Sequence, residues 1–252
     1  MNKTDYCSDS IKYKAAVDRY LARTGFGRLS PRAALIDMDG TLYDSMGNHA
    51  DAWHRIMTEV GVTTTRDEFF LYEGRTGAST INLLFQRAFG RDATDDEIAE
   101  LYHRKTVYFT EQPPVNPMPG AAEVLGFLAS NGLRRVLVTG SGQSSLIGRL
   151  SEDFPGAFAS ADMITARDVS LGKPHPEPYI KGMELAGVEP WEAIVLENAP
   201  LGVEAGAASG AFTIGLTTGP IPAEALAEAG ADLIFGSMPE CAASLPRLFN
   251  AF

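Results

Sequence analysis

The chain has 252 residues, 45% of them hydrophobic, and its formal net charge of -11, with 21 basic residues scattered along it, argues against nucleic acid or an anionic membrane as a partner. This length suffices for one large hydrophobic core and a smaller accessory domain. No stretch approaches the roughly 18 apolar residues of a membrane span, and the first residues lack the apolar core of a signal peptide, so we expect a cytoplasmic protein.

Residues 1–31 are predicted to form an N-terminal extension that is mainly helical. Apolar residues recur in it at roughly helical spacing, and glycine and proline residues then end the pattern; the apolar positions are Ile11, Ala15, Val17, Tyr20 and Leu21. We expect this helix to dock on the domain that follows.

A short apolar run, Ala33–Ile36, leads directly into two carboxylates, Asp37 and Asp39. The run is typical of a buried strand, and Gly40 permits a tight bend after it. Open α/β sheets place their chemistry at the carboxyl ends of such strands. The two aspartates are therefore candidate functional residues.

Helical patterns without strands occupy residues 45–116. One apolar stripe predicts a helix over Ala78–Phe89, and a second helix is predicted to begin with Asp95 as its N-cap. A group of prolines between residues 113 and 119 marks the end of this block.

Strands and helices alternate after Gly120, which indicates a mostly parallel sheet with helices on both faces. Strands are predicted near 135–139, 163–165, 193–196, 212–216 and 232–235, and helices near 121–131, from Gln143, at 177–187 and at 200–209. The predicted fold class is therefore α/β, a Rossmann-like core of residues 32–44 and 117–252 with an α-helical cap, residues 45–116, inserted after the first strand.

The two cysteines, Cys7 and Cys241, lie near opposite ends of the chain. They form no CxxC or Cys/His metal pattern. We expect both to be free thiols.

Asp37 and Asp39 are close enough in sequence to repel each other unless a cation lies between them. Carboxylate oxygens suit Mg²⁺, which also accepts water and phosphate oxygens as ligands. The plain alternative is that the segment is a surface turn.

Other strand ends supply groups that phosphoryl chemistry requires. The second strand is followed by Thr139, Gly140 and Ser141, whose hydroxyl and N–H groups suit phosphate oxygens. Lys173 lies in a stiff Gly-Lys-Pro segment and can neutralise charge on the nucleophile and the transferred group.

Glu197 and Asn198 end the fourth strand and offer oxygen ligands to a metal. Taken singly, each of these motifs has a plain alternative, such as a turn, a solvated lysine or a helix cap. Together, at the ends of successive strands, they indicate an active site.

These motifs, DMDGT, VTGS, GKP and EN, resemble the four motifs of the haloacid dehalogenase superfamily over nearly all of the chain after Ala33. The resemblance implies that Asp37 forms an aspartyl-phosphate and that Asp39 protonates the leaving group and then activates water. It also implies that Thr139 binds the phosphoryl group, that Lys173 supports it, and that Asp37, Asp39 and the Glu197-Asn198 loop hold Mg²⁺.

Asn198 departs from the acid usual at its position and removes one negative charge from the implied metal shell. Asp39 is typical of the family's phosphatases, because the dehalogenase and phosphonatase branches lack an aspartate at this position. Both of those chemistries are therefore unexpected here.

Within the superfamily the chain resembles the β-phosphoglucomutase branch, through Ser45, His49 and Trp53 and the small helical cap. The mutases hold a sugar phosphate with basic residues at three positions that here carry Glu73, Gly77 and Gly142. A glutamate in place of a lysine would repel a bare phosphate unless a metal intervenes.

The segments EGRTGASTIN, VTGSGQ and ENAPLGVEAG also resemble inorganic pyrophosphatases of this branch. That resemblance implies Glu73 as a further magnesium ligand, with His49, Arg75 and Lys105 as candidates to meet the outer phosphate. The plain alternative makes Glu73 a solvated loop acid and Arg75 its surface partner.

The first functional hypothesis is thus a Mg²⁺-dependent inorganic pyrophosphatase that acts as a monomer. A β-phosphoglucomutase or sugar-phosphate phosphatase is the alternative, and a phosphate-binding module without turnover is a remote one. All three imply a small phosphorylated ligand as the partner.

Overall fold

A computed structural model describes residues 3–141, 144–159 and 161–252. Its centre is a six-stranded parallel sheet in the order β3-β2-β1-β4-β5-β6. The strands are β1 (Ala33–Ile36), β2 (Arg134–Val138), β3 (Met163–Ile164), β4 (Ala193–Glu197), β5 (Phe212–Leu216) and β6 (Leu233–Phe235).

The helices fall into an N-terminal one, a group between β1 and β2, and a group that alternates with the later strands. They are α1 (Lys3–Thr24), α2 (Met46–Glu59), α3 (Glu68–Leu71), α4 (Gly77–Phe89), α5 (Asp95–Thr110), α6 (Ala121–Ser130), α7 (Ser144–Asp153), α8 (Glu177–Ala186), α9 (Pro200–Ala208), α10 (Ala223–Glu228) and α11 (Met238–Phe249). The predicted fold class, a parallel α/β core with an inserted helical segment, is confirmed.

Neighbouring residues of each central strand point to opposite faces of the sheet. On β1, Ile36 belongs to the apolar cluster that also contains residues of α1, α6, α7 and α11, whereas Leu35 packs with Tyr179 and Met183 of α8. All four residues of β1 are buried. The sheet is therefore covered on both faces, as the uniformly apolar strand sequence predicts.

The helical segment α2–α5 has a separate apolar cluster, built around Ile56, Ile81 and Leu84. The chain enters and leaves this segment side by side, because the Asp44 N–H donates to the Asn116 carbonyl at 3.0 Å. Both crossings lie next to the end of β1. This arrangement brings the helical segment over the carboxyl ends of the strands.

Two details of the helices differ from prediction. The N-cap of α5 is Thr94 and not Asp95, because the Thr94 hydroxyl accepts from the Glu97 N–H while the Glu97 carboxylate accepts from the Thr94 N–H. The predictions also omitted α10 and α11. Pro239 and Pro246 interrupt the helical signal of α11, although Pro239 lies in its first turn, where proline is tolerated.

Helix α1 docks on the core, but through a face that differs in part from the predicted one. Ile11 is 66% exposed, whereas Tyr13, Ala16, Val17 and Tyr20 are buried. The side chain of Cys7 lies outside the part that the structure describes, so the prediction of a free thiol there stays open. Cys241 is free and buried.

We expect Tyr20→Phe to lower the free energy of unfolding by about 1 kcal/mol. The Tyr20 hydroxyl donates to the Gly210 carbonyl at 3.0 Å, and the change leaves that acceptor without this donor. Tyr13→Phe on the same helix is the control, because the Tyr13 hydroxyl has no hydrogen-bond partner among the described residues. Equal loss in both variants, measured by urea denaturation, would contradict the expectation.

None of the described helices combines the length and apolar character needed to cross a bilayer.

Candidate active site

The carboxyl ends of β1, β2 and β4 open into one cleft, which the loop before α4 and the helices α2 and α5 cover. The three strands are neighbours in register, with Leu35 opposite both Val136 and Val195. The cleft brings together the predicted site residues, with Lys173 beneath its floor; its lining is Asp37, Asp39, His49, Trp53, Glu73, Gly74, Arg75, Gly77, Tyr102, Lys105, Thr139, Gly140, Ser141, Glu197, Asn198 and Ala199.

Lys173 is fully buried and connects two carboxylates. Its Nζ donates to Asp37 Oδ1 at 2.7 Å, to Glu197 Oε1 at 2.5 Å and to the Val138 carbonyl at 3.1 Å. Burial would lower the pKa of Lys173, but Asp37 and Glu197 outweigh it and raise that pKa, so the ammonium form is held. The lysine lies where it can neutralise charge on Asp37, as predicted from the Gly-Lys-Pro segment.

Asp37 lies in an environment that opposes its ionisation. Burial raises the pKa of its carboxyl, the neighbouring charge of Glu197 raises it further, and Lys173 only partly offsets them. Two carboxylates therefore share one ammonium group at the floor of the cleft. That imbalance is a reason for a further cation to bind nearby.

Both carboxylate oxygens of Glu197 accept hydrogen bonds from the protein. Its Oε1 accepts from Lys173 and from the Tyr179 hydroxyl at 2.8 Å, and its Oε2 accepts from the N–H groups of Asn198 and Ala199 at 3.0 and 3.2 Å. Two donors on each oxygen leave it poorly placed to bind a metal. The arrangement lets Glu197 position Lys173, and the role of Glu197 as a metal ligand stays a prediction.

Asp39 accepts two side-chain hydrogen bonds through the same oxygen. Ser45 Oγ donates to Asp39 Oδ1 at 2.7 Å, and His49 Nε2 lies 2.9 Å from the same atom. Burial would raise the pKa of Asp39, but His49 and Ser45 outweigh it and the pKa is lowered. The other oxygen, Oδ2, accepts no hydrogen bond from the described residues.

His49 links Asp39 to a buried lysine of the helical segment. Lys105 Nζ lies 2.6 Å from His49 Nδ1 and is 2% exposed as a residue. Burial and Lys105 lower the pKa of His49, and burial lowers the pKa of Lys105 to about 8. We assign the neutral His49 tautomer that donates from Nε2 to Asp39 and accepts from Lys105 at Nδ1.

The predicted contact of His49 and Lys105 with an outer phosphate stays a prediction. Both residues line the cleft, but their hydrogen bonds join them to Asp39 as well. Sequence spacing did not indicate this chain of three residues, because Lys105 is 56 residues from His49 and lies on a different helix.

The loop after β2 carries the groups that are predicted to bind phosphate. Thr139 is buried, and its Oγ1 accepts from the Ser141 N–H at 3.0 Å. Thr139, Gly140 and Ser141 all line the cleft opposite the loop before α4. Gly142, which stands where the mutases have a lysine, lies outside the described residues.

Glu73 is partly buried and faces the aspartates from the covering loop. Burial raises the pKa of Glu73 well above its usual range, and Asp39, Asp37 and Glu197 raise it further. Arg75 hydrogen bonds through Nη1 to Ser79 Oγ at 3.1 Å, and no ion pair joins it to Glu73 among the described residues. The alternative of a solvated acid with Arg75 as its surface partner is therefore not supported.

The covering loop meets the core across glycines. A Cβ on Gly140 would lie 2.4 Å from the Gly74 carbonyl oxygen, and a Cβ on Gly172 would lie 2.8 Å from Thr76 Cγ2. Real Cβ atoms do not approach so closely, so these positions need glycine for the loop to close as it does here. We call this contact the glycine seam, formed by Gly74, Gly140 and Gly172.

The cleft offers oxygen ligands of the type that Mg²⁺ prefers. The cleft presents the carboxylates of Asp37, Asp39 and Glu73 and the amide of Asn198, whose Oδ1 accepts one hydrogen bond from Thr41 Oγ1 at 3.2 Å. Among the described residues no three His, Cys, Asp or Glu side chains converge closely enough to hold an ion by themselves. A magnesium ion here would therefore depend also on the Asp39 carbonyl, the Asn198 amide and water, which Mg²⁺ commonly retains.

Three side chains of the site were not predicted. Tyr179 donates to Glu197, Thr41 donates to Asn198, and Tyr102 lines the cleft. Thr41 follows the aspartates directly, so its position in the DMDGT motif is a usable signal. Tyr102 follows Ile98 and Leu101 at apolar positions of its helix, and nothing in that pattern separates a cleft residue from a core residue.

Comparisons with known proteins agree with this geometry. The model of the haloacid dehalogenase-like hydrolase family matches residues 31–210. Hexitol phosphatase A of Escherichia coli is 30% identical over 82% of this chain and 91% of its own length, and the validoxylamine A 7'-phosphate phosphatase of Streptomyces hygroscopicus is 34% identical over 79% and 91%.

A solved structure from Bacteroides vulgatus described as a "putative beta-phosphoglucomutase" is 46% identical to this chain. The match covers 96% of this chain and 98% of the Bacteroides vulgatus chain, with a TM-score of 0.92. The resemblance therefore extends over both the sheet and the helical segment.

Proposed function

The chain belongs to the haloacid dehalogenase-like hydrolase family and is an enzyme acting on phosphate esters or anhydrides. From that premise we propose that it is a Mg²⁺-dependent phosphohydrolase that works through an aspartyl-phosphate on Asp37. We propose further that its substrate is inorganic pyrophosphate. The observation that carries the choice of substrate is Glu73, an acid turned towards Asp37 and Asp39.

Asp37 is the nucleophile. Lys173 holds Oδ1 of this carboxylate at 2.7 Å, and Oδ2 has no hydrogen-bond donor among the described residues. That free oxygen attacks phosphorus, the bond from phosphorus to the leaving oxygen breaks, and an acyl phosphate forms. Covalent catalysis divides one difficult displacement into two easier in-line steps.

Asp39 is the general acid and then the general base. In the first step it gives a proton to the leaving oxygen, and in the second it takes one from the water that attacks the acyl phosphate. Ser45 and His49 fix Oδ1 of Asp39, so Oδ2 is the atom that exchanges the proton.

Thr139, Gly140 and Ser141 bind the oxygens of the transferred phosphoryl group. Lys173 balances the charge of Asp37, and Glu197 and Tyr179 keep the lysine in place. A bound magnesium ion would supply electrostatic stabilisation of the charge that develops on the transferred oxygens. Asp37, the Asp39 carbonyl, Asn198 and Glu73 are the residues proposed to hold it.

Glu73 favours pyrophosphate over a sugar phosphate. A carboxylate facing the cleft repels a bare phosphate monoester on that side but can share a cation with a diphosphate. Burial is the main cause of the raised pKa of Glu73, and the charges of Asp39 and Asp37 raise it further. This second effect reflects the same excess of negative charge in the cleft. A cation and a compact polyanion bound together would relieve that excess.

We also propose that residues 45–116 act as a cap that opens for substrate and closes for reaction. The side-by-side chain crossings at Asp44 and Asn116 are suited to a hinge. The glycine seam is the contact that closure makes.

We expect Glu73→Ala to lower kcat/KM for pyrophosphate by about 10- to 100-fold. Wild type and variant are measured against pyrophosphate, hexose phosphates and acetyl phosphate, with the magnesium concentration varied. Loss confined to pyrophosphate, together with a higher magnesium requirement, is the expected pattern. Glu100→Ala, an exposed acid on α5, is the control and should match wild type.

Two outcomes would count against this proposal. Wild-type enzyme that hydrolyses hexose phosphates much faster than pyrophosphate would reject pyrophosphate as the substrate. An equal loss on every substrate in Glu73→Ala would show that Glu73 supports the fold or the general chemistry and does not select the substrate.

A sugar-phosphate phosphatase or β-phosphoglucomutase is the second candidate. The names of the phosphatases from Escherichia coli and Streptomyces hygroscopicus favour phosphorylated polyols and sugars. A coupled assay for conversion of β-glucose 1-phosphate to glucose 6-phosphate, with a bisphosphate activator, distinguishes the mutase. No conversion would remove it.

A further inference from the structure

The helical segment places an aromatic ring where a side chain at the first residue of α4 would otherwise project. A Cβ built on Gly77 would lie 2.2 Å from Tyr102 Cδ2 and 2.3 Å from Tyr102 Cε2. The ring therefore occupies the position of any side chain at residue 77. Both residues line the cleft.

Backbone conformation does not explain the glycine at position 77. Gly77 is the first residue of α4 and has no positive φ, so a larger residue would be unstrained there in the absence of the ring. Thr76 already caps the helix, because its hydroxyl accepts from the Ser79 N–H. Gly77 and Tyr102 are thus one unit, in which the small residue makes room for the large one.

The ring of Tyr102 is held as part of a wall. Its centroid lies 6.2 Å from that of Trp53, which also lines the cleft, and Trp53 stacks on Phe69 at 6.3 Å with an interplanar angle of 11°. Lys105 Nζ lies 5.3 Å from the Trp53 ring centroid on the cleft side of the same segment. Rings packed in this way do not move aside readily, since each is supported by the next.

The wall belongs to the helical segment, which lies over the phosphoryl-transfer groups of the core. Asp37 and Thr139 directly follow the core strands β1 and β2, whereas Trp53, Gly77 and Tyr102 belong to the helical segment above them. The part of a substrate that leaves, or that is not transferred, would therefore meet the wall.

We propose that Tyr102 is a specificity-determining residue that limits the size of the leaving group. Its ring takes the volume that a sugar ring would need, so the closed cleft accepts a second phosphate or another compact group and excludes a hexose. This inference rests on the proposed phosphohydrolase function. It extends that proposal, because it assigns exclusion by size to Tyr102 and charge selection to Glu73.

The test compares a bulky ester with a compact phosphate. Hydrolysis of glucose 6-phosphate and of acetyl phosphate is measured for wild type, Tyr102→Ala and Tyr102→Phe. We expect Tyr102→Ala to raise the ratio of kcat/KM for glucose 6-phosphate to that for acetyl phosphate by about tenfold or more, chiefly through a lower KM for the hexose. Tyr102→Phe keeps the ring and should leave the ratio within about threefold of wild type, since removal of one hydroxyl changes the volume little.

Tyr108→Ala is the matched control. Tyr108 lies on the same helix, its hydroxyl donates to Glu59, and it does not line the cleft. The ratio should not change in this variant. If Tyr102→Ala does not fold, Tyr102→Leu shortens the wall while it keeps an apolar side chain, and the same rise is expected.

An unchanged ratio in a folded Tyr102→Ala or Tyr102→Leu would overturn the inference. An equal rise in Tyr102→Phe would also overturn it, because the hydroxyl and not the volume would then be responsible. Pyrophosphate hydrolysis is scored separately: its absence in wild type would reject pyrophosphate as the substrate, while the ratio of the two other substrates would still decide the role of Tyr102.

Discussion

Replacement of Asp37 by asparagine is expected to lower kcat by about 10⁴-fold or more for every substrate that the enzyme hydrolyses. Asparagine has nearly the same shape, but its amide is a poor nucleophile and cannot form the acyl phosphate. A residual rate would reflect binding and electrostatic stabilisation by the rest of the site. Steady-state kinetics and trapping of a phosphorylated protein with labelled substrate measure the two consequences independently.

The same substitution should not lower the free energy of unfolding. The raised pKa of Asp37, caused by burial and by Glu197, means that its ionised form is less favourable in the folded protein than in the unfolded chain. A neutral amide removes that unfavourable charge. Asp44→Asn is the control: Asp44 is exposed, and its change should leave kcat within about twofold of wild type.

A phosphorylated intermediate that persists in Asp37→Asn would contradict the assignment of the nucleophile. So would an Asp37→Asn protein that retains a substantial fraction of wild-type turnover after deamidation has been excluded by mass spectrometry. If Asp37→Asn loses its cooperative thermal unfolding transition together with its activity, the expectation that this change does not lower the free energy of unfolding is wrong.

Lys173→Met is expected to destabilise the protein by about 3–5 kcal/mol as well as to abolish activity. The side chain of Lys173 is 0% exposed and pairs with both Asp37 and Glu197, whose side chains are 7% and 1% exposed. Removal of the ammonium leaves two carboxylates buried beside each other without a counter-charge. Urea denaturation of the variant measures the loss.

A second substitution should recover part of that stability. Glu197→Gln in the Lys173→Met background removes one of the two stranded charges, so the double variant should be more stable than Lys173→Met alone. Lys14→Met is the control, because Lys14 forms an exposed pair with Asp18 and should change stability by no more than about 0.5 kcal/mol. Losses that simply add in the double variant would show that the two groups do not interact.

The central part of the site could be predicted from sequence because it depends on local patterns. A buried strand followed by two aspartates places Asp37 and Asp39 at the carboxyl end of a parallel strand, and the same reasoning places Thr139 at the end of the neighbouring strand. Lys173 lies in a short stiff segment, which restricts where its ammonium can lie. Each of these predictions needs only strand order and residue type.

Other features depend on packing that residue spacing does not show. Glu197 has a residue type that suits a metal ligand equally well, and only the position of α8 brings the Tyr179 hydroxyl to it. Lys105 reaches His49 because α5 packs on α2, and the ring of Tyr102 lies against Gly77 because α5 also packs on α4. The end of the chain was misjudged because Pro246 obscures the apolar periodicity of α11.

The glycine seam separates two features of the site, which are the fit of the covering loop on the core and the choice of side chains that line the cleft. At Gly140 the core faces the carbonyl oxygens of Gly74 and Arg75, so this contact does not depend on which side chains occupy positions 73, 75 and 102. Substitutions at those positions, two of which we propose to set the substrate preference, would therefore leave this contact in place. A new substrate preference could thus evolve without a change in how the covering loop meets the core.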